Sequence, residues 1–173
     1  MTSARMKAPS PPDGSLLVRP MTAEDADAVA TLSGQLGYPM TPSRIQKRYK
    51  MIIHNPDNGL FVAERDGIIL GWVHVLGVHY LESPRSFAEI GGLVVDAEFR
   101  RQQVGRLLME RAEAWAREQG YQEVRLRSGL HRTEAHQFYQ AVGYTLTKTG
   151  HTFQKALDAP PFPSTVIAPS GPG

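Results

Sequence analysis

Arg100-Arg101-Gln102-Gln103-Val104-Gly105-Arg106 places guanidinium groups where a new helix begins. A helix start exposes backbone N–H groups with no intrahelical acceptor, and the macrodipole makes that end positive. Arg100 and Arg101 beside such an end form a site for a phosphorylated ligand. The plainer alternative is that they only solvate the helix end. The strand read over Phe87–Val95 would hold the rest of the ligand. Groups able to move a proton are spread along the chain: the carboxyl of Glu89, the phenol of Tyr139, and the imidazoles of His74, His79, His136 and His151. A lone strand or helix histidine is as readily a satisfied structural residue. No His/Asp/Glu spacing matches a metal site, so no metal is expected. The chain also has no Gly-x-Ser-x-Gly elbow and no phosphate loop ending in Gly-Lys-Ser/Thr.

The elements that must position these groups follow from punctuation and periodicity. A short strand, Leu16–Arg19, closes at Pro20. Thr22 is an N-cap signal, and Ala26, Val29, Ala30, Leu32 and Leu36 form a helical stripe that Gly37 ends. Thr41-Pro42 opens a second helix running to about Ile53. Leu60–Glu64 and Ile68–Val78 read as strands joined at Asp66-Gly67, a two-residue hairpin turn. After the Phe87–Val95 strand, a helix from about Gln103 to Gln119 presents Val104, Leu108, Ala112 and Trp115 on one face. Val124–Arg127 is a strand and Thr133–Ala141 a helix. Tyr144–Lys148 and Thr152–Lys155 read as a closing pair of strands. The order β-α-α-β-β-β-α-β-α-β-β implies an α/β (α+β) mixed sheet with helices on its faces.

The chain of 173 residues suits one domain, read here as Ser15–Leu157. Met1–Gly14 and Asp158–Gly173 are rich in Pro, Ser and Gly and read as flexible tails. There is no cysteine, which excludes disulfides and thiolate chemistry. The net charge is +2, and 14 of the 19 basic residues are arginine. That bias suits bidentate anion binding, or follows from genomic base composition. No basic run with interleaved aromatics points to nucleic acid. No stretch approaches the roughly 20 apolar residues of a membrane helix, and no signal-peptide core is evident. A cytoplasmic protein without nucleic-acid or membrane partners is the expectation.

Arg100–Gly105 resembles the pyrophosphate-binding signature Gln/Arg-x-x-Gly-x-Gly/Ala of the GNAT superfamily of acyl-CoA-dependent N-acetyltransferases. Arg100 and Gly105 match it, while Gln103 replaces the middle glycine. A helical conformation at Gln103 would keep its N–H available. Leu93-Val94-Val95 is similar to the family strand whose backbone pairs with the pantetheine arm. Gly91-Gly92 lies where that strand carries a bulge, and also suits close helix packing. Ala135-His136-Gln137-Phe138-Tyr139 with Gly143-Tyr144 resembles the family's Ala-x-x-Phe-Tyr-x-x-x-Gly-Phe/Tyr element. The run His131–His136 resembles a small-molecule branch that includes aminoalkylphosphonate acetyltransferases.

The resemblance implies a mostly antiparallel sheet with a splayed parallel pair, and acetyl-CoA as co-substrate. It implies acetyl transfer to a primary amine by direct attack in a ternary complex. The cofactor would be held by Leu93, Val94, Val95, Arg100, Arg101, Gln102, Gln103, Val104, Gly105 and Arg106, with Arg132 standing where many relatives have Asn. Tyr139 matches the tyrosine placed near the CoA sulfur. Glu89 is in register with a catalytic glutamate of the histone acetyltransferase branch, and strand alternation sets it on one face with Gly91 and Leu93. The alternative for Glu89 is a structural carboxylate paired with arginine; His74 and His79 are other candidate bases. The acceptor would meet Gly37–Ser43, Leu81–Ser86 and Thr147–Phe153, which carry no dense acidic patch, so a small amine is expected. A protein or peptide amine, a non-catalytic acyl-CoA sensor, or an interaction module that has lost CoA are the other readings. Dimerisation is common in the family, so a homodimer is an arrangement the resemblance allows.

Overall fold

The computed structural model describes residues 14–157. The stretches expected as tails lie outside the described residues, apart from Gly14, whose amide donates to Asp66 Oδ1. The elements are β1 (Leu17–Pro20), α1 (Ala26–Gln35), α2 (Pro42–Ile53), β2 (Asn58–Arg65), β3 (Ile68–Val78), β4 (Phe87–Val95), α3 (Val104–Glu118), β5 (Val124–Leu126) and α4 (Thr133–Ala141). Short 3-10 turns at Ala23–Asp25 and Ala97–Phe99 lead into α1 and the α3 approach.

The described strands form one sheet in the order β1-β2-β3-β4-β5. The first three pairings are antiparallel and β4–β5 is parallel. Asp66 and Gly67 have φ of 51° and 79°, as a two-residue hairpin of right-handed twist requires. Phe61, Ala63, Val73, Val75, Ala88 and Ile90 turn to one face of the sheet, where α3 buries Val104, Leu108, Met109, Ala112, Trp115 and Ala116. The opposite face carries Val62, Leu60, Ile69 and Trp72 against Val29 of α1 and Ile45 and Tyr49 of α2. Strand alternation therefore gives each face its own helices. At the base of α1, Arg19 donates twice to Asp25 at 2.8 Å and once to Glu64 at 2.7 Å, tying β1, the first turn and β2 together.

The closing strands expected at Tyr144–Lys148 and Thr152–Lys155 are not formed: residues 144–157 carry no strand. Leu146, Phe153 and Leu157 are exposed instead. Strand propensity expresses packing against neighbours, and β5 presents only three paired residues, too short a ladder to order a hairpin on it.

Candidate active site

A bulge and a separation of strands create the site. β3 pairs with β4 as His74↔Gly92 and Val75↔Ile90, so Gly91 is the extra residue without a partner. The parallel β4–β5 ladder ends at Ile90↔Leu126, immediately before that bulge. From Gly91 onward β4 has no strand on its β5 side among the described residues, leaving Gly92–Val95 with a free backbone edge beside a slot. Glycine suits both positions: a Cβ on Gly91 would stand 2.9 Å from the Leu76 side chain, and one on Gly92 2.8 Å from the Trp72 ring, so a larger residue would force those groups to shift. The bulge also corrects the expected facing. Glu89 lies opposite Leu76 and Gly92 opposite His74, on the α1–α2 face, whereas Leu93 lies opposite Val73 and turns to the α3 core. The inserted residue breaks the alternation that would put Glu89 and Leu93 on one side.

The slot opens into a cleft of about 910 Å³. Leu93, Val94, Val95, Arg100, Arg101, Gly105, Arg132 and Tyr139 line it, together with the α1 end at Gln35–Leu36 and with His131, Thr133, Glu134 and Gln137. The α1 end in the wall carries no sequence signal: nothing in its apolar stripe marks its last turn as cleft-facing. At the α3 start, the first intrahelical bond is Leu107 N–H to the Gln103 carbonyl. The amides of Val104, Gly105 and Arg106 thus lack helical acceptors. Gln103 is left-handed (φ 67°, ψ −4°), not helical as expected, and Arg101 has φ 62°. A left-handed residue followed by a helical one turns successive N–H groups into a concave anion cradle. The chain thus adopts the glycine conformation without the glycine.

Not every residue expected to hold the cofactor faces the cleft. Gln102 accepts from Arg65 Nη1 at 3.0 Å and turns toward β2. Val104 is buried in the α3 core, and Arg106 pairs with Glu110 at 2.9 Å. Neither these three nor Gln103 lines the cleft. Among the described residues, no carboxylate forms an ion pair with Arg100, Arg101 or Arg132, which leaves the cleft positive. Gly105 allows α4 to close down, since a Cβ there would lie 3.1 Å from Phe138. Uncompensated cations, free amides and an open strand edge together fit a phosphorylated, amide-bearing ligand.

Three titratable groups stand nearby. Burial raises the Tyr139 phenol above its ordinary value, and Arg132 partly offsets this. The ring lines the cleft between Phe138 and Tyr144. Glu89 is outside the cleft wall and accepts from Arg127 Nη2 at 3.2 Å. His74 stands on the same sheet face, behind Gly91, with Nε2 2.9 Å from Asn58 Oδ1. Burial holds its pKa below the usual histidine value. His79 lies at the far end of β3, bonded to Ser86 and close to Asp57 and Tyr121. His136 is on α4 outside the lining, and His151 falls in the unpaired segment 144–157. Among the described residues no group of three or more His, Asp or Glu could hold a metal ion, and no helix is long and apolar enough to cross a membrane.

Known proteins share this fold. The sequence profile of the acetyltransferase (GNAT) family matches residues 26–144. The chain is 30% identical over 142 residues to an aminoalkylphosphonate N-acetyltransferase of Salmonella typhimurium, covering 81% of this chain and 90% of that protein. It is 32% identical over 108 residues to N-acetyltransferase 8 of Rattus norvegicus, covering 62% of this chain but 48% of the relative, so it spans about half of that protein. Among solved structures, an aminoglycoside N-acetyltransferase in complex with CoA superimposes with a TM-score of 0.76 at 19% identity, over 86% of this chain and 99% of the other.

Proposed function

Because the chain belongs to the acetyltransferase (GNAT) family, we propose that it moves an acetyl group from acetyl-CoA to a primary amine of a small molecule by direct attack. The observation that carries the reading is one cleft that joins the free edge of Leu93–Val95, the Arg100–Gly105 cradle and Tyr139. The β4 edge offers N–H and C=O groups to an extended amide arm, as an added strand would. The amides of Val104–Arg106, with Arg100 and Arg101, would hold a pyrophosphate. Acetyl-CoA brings an activated acyl group and a thiol leaving group. Tyr139, kept protonated by its burial, donates a hydrogen bond or proton to the sulfur as it departs. Proximity and a polarised carbonyl supply much of the acceleration.

The amine must lose a proton, and two groups on the α1–α2 face stand near the slot: Glu89, engaged by Arg127, and His74, whose Nδ1 has no hydrogen-bond partner among the described residues. A protein or peptide amine is the second reading. It is favoured by the absence of a hairpin over 144–157, which leaves that side open.

The test has two arms. Acetyl-CoA should raise the melting temperature, because a ligand of the native state alone must stabilise it. Free CoA should then appear when small amines, and separately lysine peptides, are added. Absence of stabilisation at millimolar acetyl-CoA would overturn the reading. Stabilisation without release across both amine classes would point to an acyl-CoA sensor.

A further inference from the structure

We propose that His74 takes the proton from the acceptor amine, its Nδ1 lone pair presented at the Gly91 bulge by the hydrogen bond that Asn58 makes to Nε2. The inference rests on the acetyltransfer reading and adds the residue that makes the amine nucleophilic.

Asn58 Oδ1 can only accept, so the ring nitrogen 2.9 Å from it carries the hydrogen. The second nitrogen, Nδ1, therefore holds a lone pair. No hydrogen bond is made to it among the described residues. Its direction is fixed by Gly91: a Cβ built there would lie 3.3 Å from Nδ1 and 3.8 Å from Cε1. The edge of the imidazole thus faces the one β4 residue that has neither a side chain nor a ladder partner. This is also where β4 and β5 part company. Any other residue at 91 would cover the nitrogen.

The surroundings keep the ring neutral. Leu60 and Gly92 lie opposite His74 on β2 and β4, and Trp72 and Leu76 flank it along β3. From α1 and α2, this face receives Val29, Ile45 and Tyr49; the Tyr49 hydroxyl is committed to the Met21 carbonyl. Glu89, opposite Leu76, is the nearest acid on the face and is held by Arg127. Asp57, beside Asn58, is turned to Tyr121 and His79. A half-buried histidine without a carboxylate partner, its pKa lowered by desolvation, stays unprotonated at neutral pH.

The lone pair of the neutral amine forms the bond to the acetyl carbon, and His74 Nδ1, directly or through one water, accepts the N–H proton that this bond makes acidic. The carbon–sulfur bond breaks with its electron pair going to sulfur, and Tyr139 Oη supplies the proton that makes the free thiol. His74 then gives its proton to solvent and Tyr139 recovers one. Acetyl-CoA and amine become acetamide and CoA.

The experiment compares wild type, His74→Gln, Asn58→Asp and Glu89→Gln in acetyl-CoA binding and in kcat/KM against pH, using the best amine of the panel. His74→Gln should bind acetyl-CoA like wild type, lose about a hundredfold or more in kcat/KM, and lose the acid limb of the pH profile. Asn58→Asp should move that limb to higher pH, since a carboxylate favours the charged ring. Glu89→Gln should keep the limb. If His74→Gln keeps the limb and stays within about threefold of wild type, the assignment to His74 fails while acetyltransfer stands. If wild type releases no CoA with any amine, both fall. Nitrogen-15 spectra of wild type give a reading that needs no variant: the Nε2–H tautomer is expected, and an Nδ1–H tautomer would overturn the proposal.

Discussion

Arg127, one residue beyond Leu126 where the β4–β5 ladder ends, reaches back with Nη2 to 3.2 Å from Oε2 of Glu89, the residue before Ile90. The pair therefore clamps the two strands at the point where they part. Arg127 is 74% exposed, and such pairs contribute about 0–1 kcal/mol. Arg127→Ala should lower the melting temperature by no more than about 4 °C. It should raise the KM for acetyl-CoA severalfold, because the strands are freer to part. Thermal shift and steady-state kinetics measure the two effects; a large thermal loss with unchanged KM would show that the pair only supports the fold.

Gln103 gives a prediction of the opposite sign. A non-glycine residue in left-handed backbone costs roughly 1–2 kcal/mol, and glycine loses about 0.5–1 kcal/mol through a freer unfolded chain. Gln103→Gly should therefore stabilise by about 0.5–1 kcal/mol in chemical denaturation. It should also tighten acetyl-CoA binding by letting phosphate approach the backbone. Gln103→Val, β-branched at φ 67°, should destabilise. If both variants shift stability the same way, the strain argument is wrong.

Periodicity made much of this fold legible. The α3 stripe of Val104, Leu108, Ala112 and Trp115 is buried as it reads, and Ile68–Val78, Phe87–Val95, Pro42–Ile53 and Thr133–Ala141 begin and end at their Gly, Pro and cap signals. The cleft-facing cations at 100, 101 and 132 were visible as residue types. The facing of Leu93 was not, because a single inserted residue at Gly91 reverses alternation and no local signal gives its exact position. The left-handed turn at Gln103 is set by the need to enter α3 from the 3-10 turn, a tertiary demand that overrides the residue's preference. The final strands failed because Leu146 and Phe153 have strand-like chemistry but no ladder to join.

Tyr139 should separate chemistry from binding. Its phenol lies in the cleft wall, and no hydrogen bond from Oη is made among the described residues. Tyr139→Phe keeps the ring against Phe138 and Tyr144 and removes only the proton donor. The expected result is a fall in kcat of about a hundredfold with an unchanged dissociation constant for CoA. Burial raises the phenol's pKa, so ultraviolet titration should show it ionising above about 10. An early ionisation, or a purely KM effect in the variant, would remove the proton-donor role.

Acid should weaken the fold in two stages. His74 has a lowered pKa in the folded state through burial, so the unfolded chain binds its proton first as pH falls. Stability contributed by the neutral ring is full above about 6.5 and declines below that value toward the folded pKa. Asp25 follows. Burial pushes its carboxyl up, but the Arg19 hydrogen bond and the Thr22 amide outweigh that and leave it lowered. Its contribution is present above about 3.9 and disappears as pH drops through the folded value. His74→Gln should flatten the stability curve just below about 6.5 and leave the lower limb intact. Asp25→Asn should remove part of the lower limb. It should also cost about 3 kcal/mol at neutral pH, since Asp25 is only 7% exposed and Arg19 would lose its bidentate partner. Urea denaturation at closely spaced pH values measures both. A curve in which His74→Gln leaves the slope near pH 6 unchanged would mean that the ring is not held neutral by burial.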